Sequence, residues 1–384
     1  MKDFLIAALH GGDFSTNLFV EMLNKKPSGG YWYAFNTISV FWMLEGYLAV
    51  TDDQTFLYDT PVGGKSIAEW MESLALLWTD PKWEAQEGGP HPFLADYGGN
   101  PSNFLECIPT YTHTVAALQA QNARMLRVVA GLHDASGNAT AAAERRRQAD
   151  AIAAAVESRL YVKGKGYFGT LYPGNATAPA KVVPVRTCLD FMYVTDAIAE
   201  DLAASTKAEM SAFFARELQR PHWMVALSAK DPIASNPNTR RDDHGWTGAY
   251  NAWPALSFEA LAKLGAGSAA GLGDAMSFLV STAPVTRNGP YGQADWVVTD
   301  RPEGTFKDVV PSGTRYTANN GAAFSEAILR TVFGYAPRVG SEVGLWSPHA
   351  SRGLAATLSG LRLPNGTLAS VCSKASGVSF CGGL

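Results

Sequence analysis

The sequence predicts an all-α protein in which helical hairpins close into a toroid. Apolar residues recur at steps of three and four, as at Val115, Leu118 and Met125, which is the period of one buried helix face. Residues 31–50 are apolar almost all round and indicate an inner helix, whereas residues 141–160 carry the charged stripe of an outer helix. No fixed repeat length appears when the sequence is compared with itself, which favours a closed toroid over an open solenoid.

Each predicted helix is marked by apolar periodicity, and some also by their end signals. Ser66 and Ser205 are good N-cap residues, and Glu69 completes a Ser-x-x-Glu capping box with Ser66. Residues 166–172 are strand-like, and the stretch 354–380 is β-like in pattern. The predicted helical stretches are 31–50, 66–78, 115–132, 152–160, 187–203, 207–218, 253–264, 271–283 and 322–333.

The chain of 384 residues is long enough to enclose one large core. No change in composition marks a domain boundary before about Pro337. We therefore expect a helical barrel domain over residues 1–337 and a short β-like C-terminal appendage, packed on the barrel, over residues 338–384.

Composition and charge exclude several classes of partner. Hydrophobic residues make up 47% of the chain, aromatic residues 11% and charged residues 17%, which is typical of a globular protein rich in groups that line pockets. The net charge of -4, without a long run of Lys or Arg, predicts no nucleic-acid or membrane-surface partner. The Gly-Gly turns at Gly63–Gly64 and Gly98–Gly99 lack the strand-turn-helix context of a phosphate loop, and no cofactor is expected.

Two features favour a secreted protein. Cys372 and Cys381 flank a short Ser/Gly-rich turn and could pair in an oxidising compartment. The tripeptides that begin at Asn138, Asn175 and Asn365 fit the N-glycosylation pattern and fall in predicted surface turns. The initial MKDFLIAAL is too short for a signal peptide, so we expect any leader to lie outside this chain.

The most informative motif runs from residue 94 to residue 125. Around its Gly-Gly turn it gathers Asp96, Tyr97, Glu106, Tyr111 and His113, and it then continues into a long amphipathic helix, with His113 expected one turn inside that helix. Carboxylates for proton transfer and aromatic faces for sugar rings, held on a loop at a helix end, are typical of a carbohydrate-cleaving site. The alternative is an ordinary interhelical loop whose acids cap the next helix.

Other loops repeat this combination of acids, amides and aromatic rings at helix ends. A pyranose pocket requires these groups, because sugars offer hydroxyl groups to bond and C–H faces to stack. We therefore expect the loops of Asp96, Glu106, Asp243 and Gln293 to meet at one pocket. The further residues predicted to bind substrate are Trp83, Asp242, His244, Trp246 and Tyr250, beside Tyr97, Tyr111, His113 and Gln293.

An inverting glycosidase needs a protonated acid and an ionised base on opposite sides of the sugar, so the two should come from different loops. Glu106 lies between apolar neighbours that favour a protonated carboxyl, and it is the candidate acid. Asp243 lies in a polar loop beside Asp242 and is the candidate base. Asp96 could serve as an acid or as a sugar clamp.

Simpler interpretations exist for several of these residues. Asp243 stands just before a predicted helix and could be only its N-cap. The triplet Asp242-Asp243-His244 could bind a divalent cation, but no second His completes a metal set, and no metal is expected. Trp42, at helical spacing from other tryptophans, is expected in the core.

Three phrases, in order over most of the chain, resemble the six-hairpin glycosidase superfamily. They are DYGGNPSNFLECIPTY, DDHGWTGAYNAWP and NNGAAFSEAILRTVFGY. That superfamily holds trehalase, glucosidase I, mannosylglycerate hydrolase and the bacterial rhamnosidases. The resemblance implies an (α/α)6 barrel and a glycosidase with a pair of carboxylates on opposite sides of the pocket, more often inverting than retaining.

The sequence departs from that superfamily before its last predicted inner helix. The related enzymes typically carry an acid-containing loop there, whereas this chain has Ala318, Asn319 and Asn320. Glu303, in the preceding loop, is only a weak substitute. The resemblance therefore supplies a fold and a class of enzyme but does not identify the base.

Two other classes of function fit part of the pattern. A polysaccharide lyase or sugar epimerase would abstract a proton with Tyr or His and neutralise a uronate carboxylate with Arg. A non-catalytic carbohydrate-binding protein would keep the aromatic residues and have no catalytic carboxylate pair. For the lyase or epimerase, the candidates are Tyr111, His113 and His244 for proton abstraction and Arg186, Arg240 and Arg241 for charge neutralisation.

Overall fold

The structure is a computed structural model, mostly helical, with short two- and three-stranded antiparallel sheets. It describes residues 1–10, 19–21, 26–28, 34–80, 93–99, 108–174, 177–220, 223–239, 245–246, 248–250, 252–265, 275, 277–278, 293–294, 296–298, 316–317, 319–335, 337, 339, 355–363, 366–374 and 377–383. Within these residues, no helix is both long and apolar enough to cross a membrane.

The described helices lie close to where the sequence predicts them, and helices at Lys2–His10 and Gln54–Asp59 appear in addition. The predicted helix 271–283 lies largely outside the described residues. The predicted 207–218 helix is divided, because its last five residues, Phe214–Leu218, form a π-helical turn. The helices are α1 (Lys2–His10), α2 (Phe35–Thr51), α3 (Gln54–Asp59), α4 (Ile67–Leu76), α5 (Ala116–Ala135), α6 (Ala139–Ala155), α7 (Cys188–Ile198), α8 (Ala204–Phe213), α9 (Trp253–Leu264) and α10 (Asn319–Thr331).

The described strands form small antiparallel sheets between the helices and at the C-terminus. The strands are β1 (Phe19–Glu21), β2 (Lys26–Ser28), β3 (Tyr161–Val162), β4 (Tyr167–Tyr172), β5 (Lys181–Pro184), β6 (Gly248–Tyr250), β7 (Gln293–Ala294), β8 (Trp296–Val298), β9 (Tyr316–Thr317), β10 (Ala356–Arg362), β11 (Leu368–Lys374) and β12 (Gly377–Gly383). Strands β4 and β10–β12 occupy the stretches that the sequence marks as β-like.

Five helices form the inner layer of the described structure. Helix α2 packs against α5, α5 against α7, α7 against α9, and α9 against α10. Residues 116–123 of α5 and 188–195 of α7 are buried without interruption, as expected for helices covered on every side. Uninterrupted burial therefore marks α5 and α7 as inner helices. Helix α2, predicted as inner from the apolar pattern of residues 31–50, packs against α5 but is exposed at Gly46 and Val50.

Helices α4 and α6 cover the outer side of α5. Helix α6 packs antiparallel along α5 after a short turn, and α4 contacts both α2 and α5. The charged run Glu144–Arg147 lies on α6, whose buried positions are mainly alanines. The predicted outer-helix role of residues 141–160 is confirmed by this pattern.

The start of α4 follows the predicted capping chemistry. The Ser66 hydroxyl accepts a hydrogen bond from the Glu69 backbone N–H, and the Glu69 carboxylate accepts one from the Ser66 N–H. The prediction for Ser205 is wrong: helix α8 begins two residues earlier than a Ser205 N-cap would place it, with Ala203 as its N-cap and Ser205 exposed in the first turn.

The C-terminal sheet is held by a disulfide bond between Cys372 and Cys381, which fits the pairing considered from the sequence. Strand β11 lies between β10 and β12 and buries Val371. The boundary between residues 337 and 338 stays a prediction, because residues 340–354 lie outside the described part of the chain.

Candidate active site

Backbone hydrogen bonds join the segments that lead into successive inner helices. Thr114, just before α5, exchanges two hydrogen bonds with Leu171 of β4, at 3.2 and 2.9 Å. The Cys188 N–H at the start of α7 donates to the Ala226 carbonyl at 2.8 Å, and the Ala226 N–H donates to the carbonyl of Gly248, just before α9, also at 2.8 Å. The N-terminal ends of α5, α7 and α9 therefore lie side by side. We call this end of the toroid the mouth.

Two short sheets extend the mouth towards α10. Strand β8 pairs with β6, which precedes α9, and β7 pairs with β9, which precedes α10. The segment 293–298 thus connects the approaches to both helices. Gln293 lies in β7 at this end of the toroid, and its side chain lies outside the described part.

Asp96 and His113 form a contact pair on the α5 side of the mouth. The His113 Nδ1 atom lies 3.0 and 3.1 Å from the two carboxylate oxygens of Asp96, and Asp96 Oδ1 also accepts the Gly98 N–H at 2.7 Å. The two side chains are 20–21% exposed. A carboxylate that holds one ring nitrogen of a histidine fixes the orientation of the ring and leaves the other nitrogen for chemistry.

His113 does not lie inside a helix, contrary to the sequence-based expectation. Helix α5 begins at Ala116, and His113 has a φ of 60° in the left-handed region. Its N–H donates to the Gly98 carbonyl at 2.7 Å, and its carbonyl accepts the Tyr97 N–H at 3.3 Å. These bonds to the Gly-Gly loop hold His113 before the helix rather than in it.

Tyr97 and Tyr111 are buried, which corrects their predicted role as sugar-stacking faces. Tyr97 packs edge-on against Trp78, with ring centroids 4.7 Å apart. The Tyr111 hydroxyl donates to Asp190 at 2.7 Å, and burial raises the pKa of Tyr111 well above its ordinary value. Because both rings are enclosed by protein, neither offers a face to a ligand, and Tyr111 is a poor base for a lyase reaction.

Asp190 is a buried acid that sequence reasoning missed. It lies in the first turn of α7 and accepts hydrogen bonds from the Tyr111 hydroxyl at 2.7 Å and the Ala117 N–H at 2.9 Å, so it joins α7 to the start of α5. Burial raises its pKa to about 7, although these two hydrogen bonds oppose the rise. Asp190 therefore has a structural role: it is buried and bonds to Tyr111 and Ala117, on either side of His113 in the sequence.

Trp246 and Tyr250 lie on the α9 side of the mouth. The Trp246 N–H donates to the Thr239 carbonyl at 3.3 Å, which brings together the two ends of the loop 240–244. Tyr250 is 36% exposed and meets Trp253 edge-on, with ring centroids 4.9 Å apart. An accessible tyrosine ring and a partly buried tryptophan fit the predicted sugar-binding role of this loop, which stays a prediction.

An aromatic cluster lines the interior of the toroid below the mouth. The Trp42 ring from α2 stacks on Tyr193 from α7 at 5.6 Å, and Phe35 contacts both rings. Helices α2 and α7 flank α5, whose outer side is covered by α4 and α6, so their side chains meet on the inner side of α5. We call this interior the lumen. Trp42, which the sequence assigns to the core, is only partly buried there.

Amide and charged groups surround this aromatic cluster. Gln121 of α5 accepts from the Trp42 indole N–H at 3.2 Å and donates to the Tyr193 carbonyl at 2.9 Å. Arg124, one turn further along α5, lies 5.9 Å from the centroid of the Trp42 ring and pairs with Glu45 of α2 at 2.8 Å. Sequence periodicity alone does not reveal these contacts, because each joins residues 70 or more positions apart.

Further charges come from α7 and α9. Asp196 lies 2.8 Å from the Lys263 ammonium and 3.8 Å from Arg124. Burial alone would raise the pKa of Asp196, but Lys263, Arg124 and Arg330 together hold it well below its ordinary value. At 1.5 Å per residue, Glu45, Arg124, Asp196 and Lys263 lie about 12–15 Å from the starts of their helices, so they form one layer.

The remaining predicted site residues lie outside the described part of the chain. These are Trp83, Glu106, Asp242, Asp243 and His244, together with Arg240 and Arg241 of the lyase alternative. Arg186 is described, and it lies 3.1 Å from Glu217 and over the ring of Tyr167. Among the described residues, no group of three or more His, Cys, Asp or Glu could hold a metal ion.

No protein-family model matches the chain, and no curated protein does. A solved structure described as a sialidase matches with a TM-score of 0.59 and 14% identity, over 90% of this chain and 30% of that one. A rhamnosidase from Klebsiella oxytoca with rhamnose bound matches with a TM-score of 0.47 and 11% identity, over 86% of this chain and 57% of that one.

The match to the sialidase structure defines the class of fold. The chain has a mostly helical α/α toroid of the six-hairpin glycosidase-like type with a small C-terminal antiparallel sheet, as the sequence predicts. It spans about a third of the length of the sialidase structure. At this level of identity the likeness concerns the fold, and the chemistry has to be argued from the residues at the mouth.

Proposed function

We propose that this protein is a glycoside hydrolase that acts on an oligosaccharide or glycoconjugate by general acid/base catalysis with inversion. The observations that carry the proposal are a glycosidase-like toroid with an Asp96–His113 contact pair just before α5, and a cluster of Phe35, Trp42 and Tyr193 on the inner side of the helices. Proton-transfer groups at a mouth and aromatic rings below it are what cleavage of a sugar bond requires.

The two proton-transfer groups come from opposite sides of the mouth in this proposal. One side is the segment that leads into α5, which carries Asp96 and Glu106, and the other is the loop that leads into α9, which carries Asp243. Helix α7 lies between α5 and α9 and keeps these segments apart. Such a separation supports inversion, since the attacking water must fit between the base and the sugar.

The charged residues of the lumen favour a substrate without strong net charge. The cations Arg124 and Lys263 are each paired with a carboxylate, Glu45 or Asp196. A uronate would have to compete with those carboxylates for its counter-charge. The aromatic faces and the amide of Gln121 instead fit the C–H faces and hydroxyl groups of a neutral sugar.

A uronate lyase or epimerase is the second candidate, because a histidine held by a carboxylate is also a suitable proton-abstracting base. Its further requirements are less well supported. Tyr111 is buried, and the guanidinium of Arg186 is engaged by Glu217. A lyase product contains an unsaturated uronate that absorbs in the near ultraviolet, so product analysis separates it from a hydrolase.

The test is a panel of aryl glycosides and disaccharides incubated with the full chain. We expect hydrolysis of at least one neutral glycoside, with inverted anomeric configuration of the first product by NMR. Asp243→Asn should lower turnover by about a hundredfold or more, the range of general acid-base catalysis. Asp150→Asn is the matched control, because Asp150 is 66% exposed on the outer helix α6.

Three results would contradict the proposal. They are an unsaturated product, sugar binding without turnover by the wild-type protein, and full activity in Asp243→Asn. The first points to a lyase and the second to a binding protein. The third would mean that Asp243 only caps a helix.

A further inference from the structure

We propose that His113 is the catalytic acid of the site and that Asp96 is its positioning residue. This inference rests on the proposed hydrolase function and replaces Glu106 and Asp96 as the sequence-based candidates for the acid. It concerns the α5 side of the mouth, and Asp243 remains the proposed base on the α9 side.

The Asp96 carboxylate is held in place before it meets the histidine. Its Oδ1 atom accepts the Gly98 N–H at 2.7 Å, and both oxygens lie 3.0–3.1 Å from His113 Nδ1. The Nδ1–H therefore points at Asp96, so the proton available for transfer is the one on Nε2. A carboxylate engaged in this way orients the imidazole ring, but is itself poorly placed to reach a substrate.

The backbone at His113 is held in a conformation that costs free energy. A non-glycine residue with a φ of 60° is less stable than the same residue in the right-handed region, because its Cβ approaches the following carbonyl oxygen. The conformation persists because the His113 N–H and carbonyl are bonded to Gly98 and Tyr97, and because the imidazole packs on Tyr172 at 4.9 Å. Backbone strain of this kind concentrates at functional sites, which supports a role for the side chain beyond packing.

The Nε2 atom is left open by the Gly-Gly turn. A Cβ atom at Gly99 would lie 3.3 Å from His113 Nε2 and 3.6 Å from Cε1, so glycine at this position keeps that nitrogen uncrowded. Within the described part of the chain, no hydrogen bond to Nε2 is seen. The side chain is 21% exposed. His113 thus combines one fixed nitrogen with one accessible nitrogen.

His133, in helix α5, is a structural histidine that can be compared with His113. Its Nε2 lies 3.0 Å from Glu72, and the same carboxylate accepts two hydrogen bonds from Arg145. His133 lies in the last turn of α5, about 25 Å from the mouth along the helix at 1.5 Å per residue. The two histidines therefore provide a matched pair for mutation.

In the proposed step, His113 Nε2–H gives its proton to the glycosidic oxygen while the bond from that oxygen to the anomeric carbon breaks. The oxygen of an attacking water forms a bond to the same carbon, and the proton of that water passes to the Asp243 carboxylate. One water is consumed, and two sugar hydroxyl groups are formed. The neutral His113 then regains a proton from solvent, and Asp243 loses one.

The experiment compares His113→Asn, His113→Gly and His133→Asn in the full chain. Asn tolerates a positive φ and can still donate a side-chain N–H to Asp96, but it has no equivalent of Nε2. Gly adopts the same backbone conformation without strain and leaves room for imidazole. Thermal denaturation checks the fold of each variant, and kcat and KM are measured with aryl glycosides of good and poor leaving groups.

We expect His113→Asn to lower kcat about a hundredfold or more on the poor leaving group with KM little changed, and much less on the good one, because less protonation is needed. Added imidazole should raise the kcat of His113→Gly at least about tenfold above its value without imidazole. His133→Asn should keep wild-type kcat. Asp243→Asn should be slow on both substrates.

Activity of folded His113→Asn within about threefold of wild type on the poor leaving group would overturn the inference while leaving the hydrolase function intact. Equal losses on both substrates without imidazole rescue would also overturn it, since they indicate a structural role. Wild-type protein that hydrolyses nothing on the panel overturns the proposed function, and this inference with it.

Discussion

His113 illustrates how the meaning of one residue depends on its surroundings. The sequence shows an acid, a Gly-Gly turn and a histidine within 18 positions, and this is enough to select the motif. Only the structure shows that Asp96 contacts His113 Nδ1 and that Gly99, which has no side chain, leaves His113 Nε2 uncrowded. The same sequence reasoning assigned Tyr97 and Tyr111 to the binding surface, where burial excludes them.

Asp190 gives a prediction on the pH dependence of stability. Burial raises its pKa from an ordinary value of 3.8 to about 7, so the folded state favours the protonated acid. This contribution is fully present below pH 3.8 and is lost as the pH rises through about 7. Asp190→Asn keeps a carbonyl acceptor for Tyr111 and Ala117 and does not ionise.

We therefore expect the free energy of unfolding of the wild type to fall relative to Asp190→Asn between pH 4 and pH 8, by a few kcal/mol. Urea denaturation at several pH values measures this difference. A difference that stays constant over the range would show that Asp190 does not change its charge on folding. Tyr111 and Cys188, which lie close by, have raised pKa values and stay neutral throughout.

At the scale of helices and strands, a sequence signal predicts a helix end correctly when both hydrogen-bonding partners lie within a few residues of each other. Ser66 and Glu69 are three residues apart and bond reciprocally, and the predicted capping box is confirmed. Ser205 has the same preference for an N-cap, but α8 starts at Ala204, after Ala203. The reason is tertiary: the carboxylate of Glu157, 46 residues away, accepts the Ala203 N–H at 2.9 Å and the Thr206 hydroxyl.

The two serines give a matched prediction. Ser66→Ala removes a side-chain acceptor from the first turn of α4 and should lower the free energy of unfolding by about 1 kcal/mol. Ser205→Ala should change it by less than about 0.5 kcal/mol, because Ser205 is exposed and within the helix. Chemical denaturation of both variants compares them, and equal effects would contradict the capping assignment.

At the scale of the whole molecule, the charged layer ties the inner helices together. Asp196 of α7 pairs with Lys263 of α9 at 2.8 Å and lies near Arg124 of α5, which pairs with Glu45 of α2. The side chains of Asp196 and Lys263 are 27% and 17% exposed, so solvent screens part of their attraction. Their contribution should be smaller than that of a fully buried pair.

We expect a double-mutant cycle of Asp196→Asn and Lys263→Met to give a coupling free energy of about 1–2 kcal/mol at neutral pH. Because nearby cations hold the pKa of Asp196 below its ordinary value of 3.8, the contribution is present above that value and is lost as the pH falls below it. The cycle repeated near pH 3 should show less coupling. Coupling that is unchanged by acid would mean that the pair is not ionic.

The sequence by itself determined the helical class, the inner and outer roles of α2 and α6, the capping of α4 and the β-like C-terminal stretch. These features depend on residues a few positions apart, or on the period at which apolar groups recur. It also selected the motifs at the mouth, since acids, aromatic residues and glycines cluster there.

Only the tertiary structure decided which of those residues meet. The stacking of Trp42 on Tyr193, the burial of Tyr111 against Asp190 and the salt bridge from Arg124 to Glu45 each join residues 79 or more positions apart. Helix packing brings such pairs together, and apolar periodicity shows that a face is buried but not against what. The place of His113 was decided over a much shorter sequence separation. Its backbone φ of 60° and its hydrogen bonds to Gly98 and Tyr97 place it before α5 rather than inside that helix.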